Sequence, residues 1–182
     1  MTDPLPRGRG TRVLAVANQK GGVGKTTTAI NLGTALAAID QKVLLVDLDP
    51  QGNASTGLGI ERTAREINTY HVLIGEADVL DATQETEIPR LDVVASGVDL
   101  YGAEVELVGV ERREYRLRDA LAHGLGAYDY VLIDCPPALG LLTINALTAA
   151  QAVLVPLQCE FYALEGMSQL MSTIESVRAA FN

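Results

Sequence analysis

An α/β fold, with a mostly parallel sheet flanked by helices on both faces, follows from three features of the sequence. Apolar runs at residues 13–16, 43–46 and 130–133 are continuous rather than alternating, which suits parallel strands covered on both sides. After the first run comes a stretch whose apolar positions, Ile30, Leu32, Ala35, Leu36 and Ile39, recur at helical spacing. The 182 residues are 48% hydrophobic with no Trp, enough for one aliphatic core, so a single domain is expected.

In chain order, residues 1–11 read as a flexible tail, because Pro4, Pro6, Gly8 and Gly10 interrupt any helix or strand. The domain proper is expected over 12–182. Residues 12–17 form the first strand, and a helix follows from Thr26 until Asp40 and Gln41 end its pattern. Residues 42–47 (K-V-L-L-V-D) make a second buried strand, with a loop from about Leu48 because Pro50 cannot continue the ladder. Residues 56–68 read as loop, and 69–80 as a short helix broken near Gly75. A strand at 91–95 precedes a helical stretch over 97–108. Residues 111–123 read as one amphipathic helix, with Tyr115, Leu117 and Leu121 inward and Arg112, Arg113, Arg116 and Arg118 outward or paired to Glu111, Glu114 and Asp119. Residues 128–137 give a strand that ends abruptly at Pro136-Pro137, followed by a helix. A last strand at 151–156 leads into a long helix with Phe161, Leu164, Leu170, Met171, Ile174, Val177 and Phe181 along its core face.

Composition narrows the function classes. The net charge of −9 argues against a chain that coats nucleic acid by overall electrostatics, so any DNA contact would be a local patch. The arginines of 111–123 have acidic neighbours at helical spacing and read as a solvated face. Cys135 and Cys159 are too few and too far apart for a disulfide framework or a Cys-x-x-Cys site, which fits a reducing cytoplasm. His71 has no second ligand at metal spacing. No run of about 18 apolar residues occurs, and no stable membrane association is expected.

The chemistry concentrates at residues 17–31, A-N-Q-K-G-G-V-G-K-T-T-T-A-I-N, between the first strand and the first helix. Strand, glycine loop and helix together let backbone N–H groups converge on a phosphate at a positive helix end. Gly21, Gly22 and Gly24 remove the β-carbons that would hold the backbone away from an anion, with Val23 between them and Thr27 just beyond. Lys25 supplies a point charge for the terminal phosphates, and the Thr26 hydroxyl is an inner ligand of Mg²⁺. Asp47 and Asp49 sit at the carboxyl end of the second strand, where doubly wound sheets place their ligands, and are suited to hold metal through water or to orient an attacking water. Asp134 ends the run Y-V-L-I-D and would order the metal's water at its own strand tip.

The ordinary P-loop pattern wants a glycine at position 19, where this sequence has Gln19, and a second lysine, Lys20, opens the loop instead. In K-G-G-V-G-K-T the chain resembles the deviant Walker A ATPases, a group that includes the ParA/Soj partition proteins, MinD, nitrogenase iron protein and the arsenite-pump ATPase. D-L-D-P-Q-G-N-A-S, D-C-P-P and Q-C-E-F-Y-A-L-E-G resemble the partition branch in particular. The resemblance implies a P-loop NTPase domain lacking the C-terminal part of the family domain, which holds the adenine base and much of the DNA-binding surface. It implies ATP/ADP and Mg²⁺ as cofactors, with Lys20, Lys25 and Asp49 catalytic. Residues 21–27 bind the nucleotide, and Thr26, Asp47 and Asp134 lie at the metal. Lys20 reaches the partner's nucleotide in a sandwich dimer formed on ATP. The implied function is a slow ATP-driven switch for DNA segregation, binding DNA non-specifically, reset by a ParB/Spo0J-type activator, cytoplasmic and associated with the nucleoid. The competing implication is a MinD-like membrane-associated regulator of cell division. A metal-handling or electron-transfer ATPase using Cys135 is disfavoured by the partition-type segments.

Overall fold

A computed structural model of the chain describes residues 10–123, 125–158 and 163–181. Most of the tail expected over 1–11 lies outside the described residues, as do Cys159, Phe161 and the side chain of Leu164.

Six strands, β1 (Arg12–Val16), β2 (Val43–Asp47), β3 (Thr83–Glu85), β4 (Leu91–Val94), β5 (Tyr130–Asp134) and β6 (Ala152–Leu154), form one sheet in the order β3-β4-β2-β5-β1-β6. Every neighbouring pair is parallel except β3 with β4. Two cores flank the sheet, and the strands divide their side chains between them with period two. Val13, Ala15, Leu44, Val46, Val131 and Ile133 face one core, whereas Val16, Val43, Leu45 and Leu132 face the other. Burial on both faces explains why these strands read as unbroken apolar runs.

Helices α1 (Lys25–Ala38) and α2 (Asn53–Gly57) close the second core with Ala29, Ala37 and Ala54. The α1 backbone lies close to the sheet at Gly33, where an added Cβ would come 3.2 Å from Leu91 Cδ1. The first core is covered by α3 (Thr69–Ile74), α4 (Leu100–Glu106), α5 (Arg116–Leu121), α6 (Leu141–Ala149) and α7 (Ala163–Phe181), through Leu73, Leu100, Leu117, Ala146 and Val177 among others. Helix α3 starts at a capping box: the Asn68 side chain accepts from the Tyr70 N–H, and His71 Nδ1 accepts from the Asn68 N–H. His71 therefore serves a helix end.

The structure departs from the sequence reading in several places. Strand β3 was not expected, because T-Q-E carries no apolar run; it exists by antiparallel pairing along the sheet edge. Residues 56–68, expected as loop, begin inside α2 and include a 3₁₀ turn at Arg62–Ala64. The helix expected over 111–123 is broken. Arg112 takes φ 58°, Arg113–Tyr115 form a 3₁₀ turn, and only Arg116–Leu121 are α-helical. Leu117 and Leu121 are buried as expected, but the Tyr115 ring lies under the Arg112 and Arg118 guanidinium groups at 4.6 and 4.2 Å. Arg112 and Arg118 pair with Asp119 and Arg113 with Glu114, while Arg116 donates to the Leu73 carbonyl. On α7 the core face is narrower than its apolar content suggests: Leu170 and Val177 are buried, and Met171 is 46% exposed.

Candidate functional site

Parallel pairing brings the carboxyl ends of β1, β2 and β5 to one edge, with Val16 and Asp47 both in register with Asp134. The loop that leaves β1 is tied down at its start by Asn18. Its Oδ1 accepts from the Lys20 N–H (3.0 Å), and its Nδ2 donates to the Pro156 carbonyl beyond β6 (2.7 Å). Gln158 Nε2 reaches the Gly22 carbonyl from that same segment. Gly22 and Gly24 adopt left-handed φ of 74° and 86°, conformations that a side chain at either position would strain. Gly24 is the N-cap of α1, whose leading N–H groups have no helical partner and face the loop.

Lys25 opens α1 and is buried, its Nζ donating to the Lys20 carbonyl at 3.1 Å. Burial lowers its pKa, and the nearby Asp134, Asp49 and Cys135 act in the opposite direction. Gly21, Gly22, Gly24, Lys25, Thr26, Thr27 and Asp49 all line one cleft of about 680 Å³. Val23 points into the interior, and Lys20 is exposed at the mouth of the loop without lining the cleft.

The three aspartates have unlike surroundings. Asp134 is fully buried and neither carboxylate oxygen has a hydrogen-bond partner among the described residues. Burial pushes its pKa up to about 7, and Asp47 and Asp49 add to the rise; the Thr26 hydroxyl, close enough to favour the charged form without closing a well-formed hydrogen bond, opposes it, as does Lys25. Asp47 is equally buried but saturated. Its Oδ2 accepts from the Ser55 N–H (2.8 Å) and hydroxyl (2.7 Å), and its Oδ1 accepts from the Asp49 N–H (3.2 Å). Burial still raises the Asp47 pKa, with the Ser55 bonds working against that rise. Asp49, on the cleft wall, accepts from the Gln51 N–H at 3.0 Å.

Sequence reasoning missed several participants. Gln51, Tyr101 and Glu104 line the cleft opposite the loop, with Gln51 Nε2 donating to the Tyr101 hydroxyl at 2.6 Å. Tyr101 and Glu104 come from α4, fifty residues downstream of Gln51, and no local pattern links them. No group of three or more His, Cys, Asp or Glu residues arranged to hold a metal exists among the described residues. Cys135 is buried, and burial together with Asp134 pushes its thiol pKa up, so it is an inert small side chain. None of the described helices is long and apolar enough to cross a membrane.

Residues 11–182 match the AAA_31 family, an AAA domain. The chain is 66% identical over 173 residues to the chromosome partitioning protein ParA of Caulobacter vibrioides, covering 94% of this chain and 65% of that protein. It is 54% identical over 171 residues to the sporulation initiation inhibitor protein Soj of Bacillus subtilis, covering 94% of this chain and 68% of that one. Among solved structures it resembles a cobyrinic acid a,c-diamide synthase from Mycobacterium smegmatis with bound ATP analog and magnesium. The TM-score is 0.91 at 47% identity, covering 94% of this chain and 70% of the other.

Proposed function

Because this chain belongs to the AAA-domain family, and within it to the ParA/Soj-type partitioning ATPases, we propose that it binds ATP with Mg²⁺ and hydrolyses it slowly as the switch of a DNA-segregation system. The observation that carries this reading is the Asp134 carboxylate, fully buried at a strand tip beside Lys25, with no partner among the described residues. A buried carboxylate without hydrogen bonds is costly unless a cation completes it. Thr26 and Asp134 are the residues that would hold Mg²⁺, the rest of its ligands being phosphate oxygens and water. The bound ion supplies neutralisation of phosphate charge.

The chain's own groups take the remaining roles. Residues 21–27 cradle the phosphates with backbone N–H groups, and Lys25 exchanges the Lys20 carbonyl for a phosphate oxygen. Asp49, held on the cleft wall by the Gln51 N–H, orients the attacking water. Asp47 was expected near the metal. With three donors already on its oxygens, its role is to anchor the loop that carries Asp49. Lys20, exposed at the loop's start, reaches the nucleotide of a second copy in a dimer formed on ATP. Non-specific DNA binding, stimulation by a ParB/Spo0J-type protein and residence on the nucleoid complete the cycle, in which hydrolysis resets partner affinity.

The test is Mg-ATP titration and turnover with light scattering on the intact protein. Asp49→Ala should bind ATP, form the dimer and fail to hydrolyse. Lys25→Ala should lose binding, and Lys20→Ala should bind as a monomer. An Asp49→Ala protein that stays monomeric with saturating Mg-ATP defeats the switch reading. An amidating synthase would consume ATP only with an acceptor acid present, so turnover on ATP alone separates the two activities borne by similar proteins.

A further inference from the structure

Arg65 is among the most buried cations in the described part of the molecule, 6% exposed, yet it forms no ion pair there and lines no part of the cleft. Its guanidinium spends its N–H groups on backbone and hydroxyl oxygens instead. Nε and Nη2 donate to the Ile60 carbonyl (3.2 and 2.7 Å), Nη2 also to Thr56 Oγ1 (2.8 Å), and Nη1 to the carbonyls of Ser96 (2.9 Å) and Gly52 (3.4 Å). One planar fork thus ties both ends of α2 to the exit of β4.

Gly52 closes the turn that begins at Asp49: its N–H bonds the Asp49 carbonyl at 2.8 Å, and its own carbonyl accepts from the Thr56 N–H, the Thr56 hydroxyl and Arg65. The fit is close enough to demand glycine. Gly52 has φ 64°, and an added Cβ would collide with Arg65 Nη1 and lie 2.9 Å from the Ser96 carbonyl. The other end of the same turn is fixed through Asp47, Ser55 and the Ser96 N–H, which donates to Ser55 Oγ at 2.9 Å. Asp49 therefore sits on a four-residue turn clamped from behind, and the clamp is Arg65.

We propose that Arg65 is a positioning residue for hydrolysis, fixing the 49–52 turn so that Asp49 meets the attacking water while the phosphate loop binds nucleotide independently. The proposal rests on the reading of Asp49 given above. Displacing a reacting group by about 1 Å costs on the order of 100-fold in rate. In the intact protein, Arg65→Lys and Arg65→Ala should lower kcat for ATP about 10- to 100-fold and leave KM for Mg-ATP within about twofold, a split that general loosening of the fold does not give. Lysine fails because a single ammonium cannot span Gly52, Ile60, Thr56 and Ser96.

A milder change keeps the test decisive if Arg65 variants do not fold: Thr56→Val should reproduce part of the kcat loss and Thr56→Ser should restore it. Gly52→Ala, which drives a Cβ into Arg65, is the harsher companion and should match Arg65→Lys. Arg65→Lys with parental kcat overturns the proposal, as does a loss of kcat accompanied by a matching rise in KM. Thr56→Val and Gly52→Ala with parental kcat also overturn it. Asp49→Ala measured alongside separates the two failures: if it loses turnover while Arg65→Lys keeps it, only the proposal falls, and if both keep it, the reading of Asp49 falls as well.

Discussion

The tips of β2 and β5 end in aspartates that are register partners in one parallel sheet, both fully buried, and the two have opposite chemistry around them. Asp47 is held by three donors from the loop that follows it, whereas Asp134 meets none among the described residues. The difference begins in the residues after each strand. After Asp47 the chain turns at 49–52 and enters α2, which returns the Ser55 N–H and hydroxyl to the carboxylate. After Asp134 comes Cys135 and then two prolines, which have no N–H to offer. One carboxylate is therefore satisfied by the chain itself, and the other is the one proposed above to meet a cation.

The largest effect should come from removing the anchor. Asp47→Ala strands three buried donors and should destabilise the fold by about 3–5 kcal/mol. Urea unfolding checks this, through a lower midpoint with an unchanged slope. If the variant loses Mg-ATP affinity but unfolds at the parental midpoint, the two tips have been assigned the wrong way round.

The opposite sign is expected at the other tip. The folded protein holds the Asp134 proton more tightly than the unfolded chain does, since burial lifts its pKa to about 7 from an ordinary 3.8. Its contribution to stability is therefore intact below pH about 4, declines as pH rises and is gone above pH about 7. Asp134→Asn removes that loss. Without nucleotide it should match the parent near pH 4 and exceed it by about 4 kcal/mol at pH 8, at about 1.4 kcal/mol for each pH unit between the two pKa values. The same change should cut Mg²⁺-dependent ATP turnover about 10- to 100-fold. Urea midpoints across pH and turnover at fixed Mg²⁺ measure both, and a variant less stable than the parent at pH 8 contradicts the contrast.

A smaller effect belongs to the anchor's partner. Ser55→Ala removes one hydroxyl donor to Asp47 and the acceptor of the Ser96 N–H, and should cost about 1–2 kcal/mol. Calorimetric unfolding of the two proteins at equal concentration reads this difference.

How much of this contrast was visible in the sequence follows from the range of each interaction. The glycine loop, Lys25 and the apolar runs of β1, β2 and β5 are local patterns; the structure places β1 and β2 within a residue of their expected bounds and β5 inside the expected 128–137, at Tyr130–Asp134. The partition family was legible in short contiguous segments for the same reason. The edge strand β3 carries no pattern of its own, since its existence depends on β4. Saturation of Asp47 depends on an eight-residue return to Ser55, which no local pattern shows, whereas the expectation that Asp47 lies near the metal came from the resemblance to the partition ATPases. Arg65 and Tyr101 reach the site region from 16 and 52 residues beyond Asp49, at spacings that no helix or strand period relates.

The smallest effect tests the contrast most finely, on two hydroxyls in one network. Ser96 is fully buried, and its backbone carries its contacts, the N–H to Ser55 and the carbonyl to Arg65, while its own Oγ has no partner among the described residues. Removing an unsatisfied hydroxyl recovers its desolvation cost and leaves only a small gap, so Ser96→Ala should change stability by about 0.5 kcal/mol or less, with gain rather than loss expected. Ser55→Ala deletes the same atoms a few ångströms away and should be clearly destabilising. Equal losses in the two variants would mean that Ser96 Oγ is satisfied in solution, by water bridging toward the strand tips, and that the buried polar network around Asp47 extends further than its direct hydrogen bonds.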